Sequence, residues 1–179
     1  MLAHVAAATG DPDAERLIVA MSTFQPVEAE VMRAFLADKR SNIEGAVAAM
    51  ERAMKGWQSD PWPLPVVMKS AIRWIRSAAR RHPKYLPRFV QMLRTPAAVR
   101  SVDSVRSRTY FDLALMSGDP ALCVPALEAI EPNVPWDANA LDGRKQCYAK
   151  AKHALAEQAA DDLATFLSNE PVPLQVGIR

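Results

Sequence analysis

The sequence predicts an all-α protein built from antiparallel helical hairpins. Three observations predict it. Apolar residues recur at the 3.6-residue period of an amphipathic helix in nearly every segment. Ala is abundant, while the 179 residues include only six Gly and 7% aromatics, a balance that favours helix over sheet. The pattern is broken at short intervals by Pro and by Gly, Asp, Asn and Ser, leaving segments of roughly 10–18 residues, an ordinary helix length.

Helices are predicted over 2–9, 12–22, 26–39, 42–57, 65–82, 84–94, 97–116, 120–131, 137–151 and 154–168. Gly10-Asp11-Pro12 ends the first, and Gln25-Pro26 ends the second. Ser41-Asn42 parts the third from the fourth. The run Pro61-Trp62-Pro63-Leu64-Pro65 closes the fourth and opens the fifth. His82-Pro83, Thr95-Pro96, Gly118-Asp119-Pro120 and the stretch Pro132 to Pro135 mark the next four ends, and Pro171 follows the last helix. Pro suits a first helical turn, where its missing N–H has no intrahelical partner, and Asp, Ser or Thr just before it can cap the exposed N–H groups. VVM at 66–68 and FVQML at 89–93 are the best strand candidates. Both fit a helix better, since Phe89, Met92 and Leu93 share a face.

Connections this short force consecutive helices to lie antiparallel. Two stretches are paired helices of similar layout. In 26–61, Ala34 stands where the helices cross, Ala46, Met50 and Ala53 form a small–large–small stripe, and Pro61 terminates the unit. In 136–171, Ala159, Leu163 and Pro171 match that layout, while Phe166 stands where a small residue is wanted. Both resemble tetratricopeptide hairpins, and GDPALCVPALEAI at 118–130 resembles the turn and helix of a HEAT repeat. The resemblance covers about half the chain, and no two segments repeat at a strict period. It implies a short α-solenoid of stacked hairpins over 1–170. The tail at 171–179 is expected to be extended, because Pro171 and Pro173 oppose a helix and the remainder is too short to nucleate one; its Leu174, Val176 and Ile178 alternate at period two. The alternative is a non-repetitive helical bundle. In a solenoid the first helices of successive hairpins line a groove that binds peptides or proteins, an expectation resting on fold analogy.

Half of the chain is apolar and 23% charged, as in soluble globular proteins. No apolar run reaches the roughly 18 residues that span a bilayer. The first fifteen residues lack the basic start of a signal peptide and meet Asp11 early, so the cytoplasm is the expected compartment. Cys123 and Cys147 fit no metal spacing and read as free thiols, with a disulfide as the alternative.

The strongest functional signal is charge. Residues 69–108 hold eleven Lys or Arg against the single acid Asp103, a net of +10, between acidic flanks of −3 and −5. At 100° per residue Lys69, Arg73, Arg76 and Arg80 fall within roughly 60° of one another. Met68, Ile72, Ile75 and Ala79, with Val67, Ala71, Trp74 and Ala78, form the apolar face. Arg81, Lys84 and Arg88 follow around the turn and extend the field. These seven residues are the candidate partner-binding surface. Either an anionic partner docks there, or acids such as Glu44, Glu51, Asp112 and Glu128 neutralise it internally in ion pairs of little stability. An acidic protein or peptide ranks above nucleic acid, because Trp74 belongs to the apolar face and aromatic interleaving is poor.

No catalytic signature, cofactor motif or metal site is predicted. The glycines are scattered, and His4, His82 and His153 lie far apart. Cys147 and His153 have the spacing of half a zinc site, but free cysteines packed as small apolar residues, and a His153 capping helix-end carbonyls, explain them. Glu157, Asp161 and Asp162 read as a solvated acidic face. Trp57, Trp62 and Trp136, at proline-rich turns, are expected to close the ends of a core. The sequence therefore points to a non-catalytic interaction module. A helical nucleic-acid-binding protein is the alternative, and a helical enzyme whose site forms only in three dimensions is the third.

Overall fold

The computed structural model describes residues 2–169, and the predicted tail at 171–179 lies outside them. The described residues form ten α-helices and no strand. They are α1 (Leu2–Thr9), α2 (Ala14–Ser22), α3 (Pro26–Lys39), α4 (Ile43–Gly56), α5 (Pro65–Arg81), α6 (Leu86–Arg94), α7 (Asp103–Ser117), α8 (Pro120–Glu128), α9 (Ala138–Ala151) and α10 (Ala156–Asn169). The expected punctuation sets their ends. Pro26, Pro65 and Pro120 each open a helix. The Asn42, Asp119 and Asp137 side chains accept N–H bonds from Gly45, Ala121 and Ala140, all at 2.9 Å.

The largest departure from the expected boundaries precedes α7. Helix was expected from residue 97, yet α7 begins at Asp103 after a single 3-10 turn at Arg100–Val102. The chain there is committed elsewhere: the Ala98 N–H donates to the Trp57 carbonyl at 2.8 Å, and Val99 is extended. This tertiary bond outweighs local propensity.

The chain divides into two compact units, one up to Leu113 and one from Ala114 onward. In the first, α3 packs against α1, α2, α4 and α5, and α4 also meets α6. Ala34, Ala46, Met50 and Ala53 are fully buried, as the hairpin pattern requires. Gly56 lies at a close contact of α4 with α3, where an added Cβ would come within 2.8 Å of the branched Val27 side chain. In the second unit α9 packs against both α8 and α10. Tyr148 and Ala159 are fully buried, Leu163 is buried, and Leu155 and Phe166 are half-buried.

Three hairpins share one turn. After α1, α3 and α9 a residue in the left-handed region (Gly10, Ser41, Lys152) is followed by an N–H that reaches back five residues. These bonds are Asp11 to Ala6 at 2.9 Å, Asn42 to Ala37 at 2.8 Å and His153 to Tyr148 at 2.9 Å. This is the Schellman closure, which satisfies carbonyls left open at a helix end.

Of the three tryptophans expected to close core ends, only Trp57 does so, at 1% exposure. Its indole N–H donates to Glu28 Oε1 at 3.3 Å, and the same oxygen accepts the Leu64 N–H at 2.9 Å. Trp62 is 81% exposed, because the Asp60 turn, which accepts the Trp62 N–H, directs Pro63 inward instead. Trp136 is 56% exposed, with its ring in an edge-on contact with Phe166.

Candidate functional site

α5 presents its two faces as the spacing requires. Val67, Met68, Ala71, Ile72, Ile75, Ala78 and Ala79 are buried, and Lys69, Arg73, Arg76 and Arg80 are exposed. Burial of the apolar arc therefore holds the cationic stripe outward. Trp74 lies at the margin: its N–H donates to Asp38 Oδ2 at 2.8 Å, and its ring meets the Phe89 ring edge-on at 6.0 Å. It is half-buried and already engaged, so it provides no stacking platform.

The seven candidate residues separate into two groups. Three are paired inside the first unit. Arg76 reaches Asp112 at 3.2 Å, and Arg81 reaches Asp38 at 2.9 Å. Arg88, on α6, bonds Glu44 at 2.6 Å and Glu51 at 2.7 Å on α4. Arg88 is thus part of the α4–α6 seam and does not extend the α5 field. Those two carboxylates, Glu51 foremost, push its ionisation higher than that of an ordinary arginine. In return Arg88, with the Tyr85 hydroxyl, holds the Glu44 carboxyl below its ordinary range. Burial raises the Asp38 carboxyl, but bonds from Arg81 and Trp74 outweigh it and leave it below its usual range.

The other four face solvent. Lys69 and Arg80 form no ion pair among the described residues. Arg73 bonds only the Lys69 carbonyl of its own helix, from Nε at 3.3 Å. Lys84 lies over the Tyr85 ring, 4.7 Å from its centre. The internal acids were foreseen in Glu44, Glu51 and Asp112; Asp38 was not among them, and Glu128 instead approaches His153.

Beside the stripe is a groove of about 250 Å³ lined from three helices: His4 on α1, Phe35, Asp38 and Lys39 on α3, and Arg73 and Trp74 on α5. The His4 ring meets Phe35 edge-on at 5.5 Å, and its Nε2 is buried without a hydrogen-bond partner. Burial foremost lowers the His4 ionisation below that of an ordinary histidine.

The second unit corrects three expectations. Cys123 and Cys147 are joined in a disulfide that ties α8 to α9, so they are not free thiols, and Cys147 makes no ligand pair with His153. α8 packs on α9 such that the two buried sulfurs meet, a juxtaposition that spacing along the chain does not specify. His153 caps an N–H, not carbonyls: its Nδ1 accepts the Leu155 N–H at 3.2 Å while its ring stacks on Tyr148 at 4.1 Å. Asp162 does not belong to a solvated acidic face. It bonds Arg144, 2% exposed, at 2.5 Å, and Glu131 bonds the same guanidinium at 2.7 Å. Burial opposes the Arg144 charge, but Asp162 and Glu131 prevail and raise its ionisation. The Tyr148 hydroxyl donates to Glu131 at 3.1 Å, and burial, then that carboxylate, pushes its ionisation up.

The buried charges Glu28, Arg106 and Arg144 went unread in the sequence. A signal was present. Arg144 falls among Ala140, Leu141, Cys147 and Tyr148, and Glu28 among Val31, Met32 and Phe35, each a charge on an apolar stripe.

No family model, curated protein or solved structure matches this chain.

Proposed function

We propose that this chain is a non-catalytic protein–protein interaction module, a short α-solenoid of tetratricopeptide-like hairpins, that docks an acidic protein or peptide surface on α5. One observation carries the reading. Lys69, Arg73 and Arg80 stand exposed on one side of a helix whose other side is buried, with no carboxylate answering them among the described residues. Arg76, Arg81 and Arg88, by contrast, are matched internally. Like charges held together repel, and an anionic partner relieves that repulsion. The solenoid reading draws support from α1, α3 and α5 being neighbours that share one groove, and from the turn common to three hairpins.

A protein partner is favoured over nucleic acid because Trp74, the aromatic nearest the stripe, is tied to Asp38 and Phe89. The Cys123–Cys147 bridge fits an oxidising environment better than the cytoplasm. Mass analysis of the protein from its native host, alkylated before reduction, decides between them.

The test changes Lys69, Arg73 and Arg80 together to Glu and leaves Arg76 in its pair with Asp112. Binding of a Glu-rich peptide and of DNA and RNA oligonucleotides is followed by fluorescence anisotropy at two salt concentrations. Affinity capture from the host, with and without nuclease, is run beside it. The reading expects peptide binding to be lost with unchanged melting, and capture to survive nuclease. Unchanged peptide affinity in the triple variant defeats it. Capture abolished by nuclease, with a steep salt dependence on the oligonucleotides, transfers the surface to nucleic acid.

A further inference from the structure

The solvent side of α5 does not begin with charge. Val66, one turn before Lys69 on the same side of the helix, is 63% exposed. Leu64, at the N-cap, is 40% exposed, and Trp62, just before it, is 81% exposed. A lone exposed apolar residue is ordinary. Three of them close together, on the approach to a cationic stripe, form a patch.

The backbone beneath this patch is fixed. Pro61, Pro63 and Pro65 lock their own φ and disfavour helical conformation at Asp60, Trp62 and Leu64 before them. Asp60 Oδ1 accepts the Trp62 N–H at 2.9 Å, and Pro63 is buried. The buried Glu28 accepts the Leu64 N–H at 2.9 Å on the same oxygen that takes the Trp57 indole N–H. Glu28 thus ties this turn to a tryptophan of the core. Held on both sides, Trp62 has little but its two χ angles to lose on binding, a low entropic cost for a large contact area.

Charge decides what covers the patch. From Val66 to Arg80 the solvent side of α5 runs about 21 Å. It is apolar at its first end and cationic thereafter, at Lys69, Arg73 and Arg80. Asp60 places a carboxylate at the apolar end, which turns a partner's acids away from Trp62 and towards Lys69. Nucleic acid calls for aromatics interleaved with the cations. Here the exposed aromatic stands beyond the end of the stripe, beside aliphatic Leu64 and Val66. A lipid surface takes up an apolar face that runs the length of a helix, and this surface is apolar at one end only. An acidic segment headed by apolar side chains matches both parts in order.

We propose that the docking surface is bipartite. Trp62, Leu64 and Val66 receive apolar side chains of the partner, and Lys69, Arg73 and Arg80 receive the acidic side chains adjoining them. The assignment rests on the docking function proposed above and adds the partner's chemistry: a segment apolar at one end and acidic along the rest.

The experiment uses the full chain and labelled, end-capped dodecapeptides followed by fluorescence anisotropy. One peptide consists of Glu and Ser. The other has the same Glu content with Leu and Phe in place of Ser at one end, and is made with those residues at either end. Wild type should bind the apolar-headed peptide, in one of its two directions, about tenfold more tightly than the purely acidic one, a modest gain for an aromatic anchor. Trp62→Ala should remove most of that advantage and Val66→Ser part of it. Both positions are exposed, so melting and affinity for the purely acidic peptide should stay as in wild type. Val66→Ser decides the matter if Trp62→Ala melts lower. Equal binding of the two kinds of peptide by wild type overturns the apolar part and leaves docking standing. An advantage that survives in both variants overturns it too, since the apolar residues then bind elsewhere. If neither kind of peptide binds wild type, the docking function fails and takes this assignment with it. Phosphatidylserine vesicles and a single-stranded oligonucleotide are run beside the peptides. If either binds wild type and loses affinity in Trp62→Ala, while apolar residues add nothing to the peptide, the patch serves lipid or nucleic acid and the assignment is overturned.

Discussion

Arg81 grips Asp38 with both terminal nitrogens, Nη1 to Oδ1 at 3.3 Å and Nη2 to Oδ2 at 2.9 Å. The pair ties the end of α5 to the end of α3, and Trp74 adds a third bond to the same carboxylate. The Asp38 carboxyl is held below its ordinary range in the fold, so its contribution is present at neutral pH and is lost as pH falls through its folded value. Asp38→Asn should therefore cost about 1 kcal/mol at pH 7, a charge-assisted bond discounted for partial exposure. Urea titrations of both proteins at several pH values check this. The two should converge as the solution is made more acidic than the ordinary aspartate range. A gap that persists at low pH would remove the charge from the explanation.

The helices were legible because each is specified locally. Pro26, Pro65 and Pro120 stand at first turns, Asn42 and Asp119 cap, and the apolar faces of α4 and α5 repeat at helical period. The α5 stripe was legible for the same reason. Its neutralisation was only half legible, because which acid meets which arginine depends on packing. Asp38 meets Arg81 across 43 residues of chain. Sulfur pairing has the same limit: Cys123 and Cys147 meet only because α8 packs on α9. The His4 groove was not legible at all, since it draws on three helices spread from His4 to Trp74.

The disulfide makes a direct prediction for the second unit. It closes a loop across a sequence separation of 24, and removing such a link costs on the order of 3 kcal/mol by chain entropy. Replacing both cysteines with Ala should lower stability by that amount, as should reducing the native protein. Both side chains are buried, so removing their sulfur atoms also leaves a small void, and the Ala variant should lose slightly more than the reduced protein. Denaturant midpoints with and without reductant, plus a thiol titration of the unfolded, unreduced chain, provide the check. One reactive thiol or more per chain in the unreduced sample would contradict the bridge.

Arg144 is buried between Glu131 and Asp162, and both carboxylates depend on it. Arg144→Met fills the space but leaves two partly buried acids without their cation. A loss of about 3 kcal/mol is expected, because stripping one member from a buried ionic cluster exposes the others to an uncompensated desolvation cost. Adding Glu131→Gln and Asp162→Asn should recover most of it, since the neutral trio carries no stranded charge. Chemical denaturation of the single and triple variants measures both effects. A triple variant no more stable than Arg144→Met would show that shape, not charge, sets the role of this site.

The last prediction comes from the shared turn. Lys152 takes the left-handed conformation, φ 52°, at the end of α9, and Ser41 does the same, φ 61°, at the end of α3. Gly10 occupies the equivalent place after α1. A side chain there crowds its own carbonyl at a cost of about 1 kcal/mol, which Gly escapes. Gly also has more freedom to lose on folding, which offsets part of the gain. The Lys152 side chain is exposed and forms no hydrogen bond or ion pair among the described residues, so removing it sacrifices no contact. Lys152→Gly should therefore stabilise the second unit by about 0.5 kcal/mol, net of the two effects. Ser41→Gly should do the same for the first unit. The His153 amide, which closes the turn on the Tyr148 carbonyl, should exchange more slowly in Lys152→Gly than in wild type. A Lys152→Gly protein that melts lower, with faster exchange at His153, would mean that the turn is not held in the left-handed form in solution.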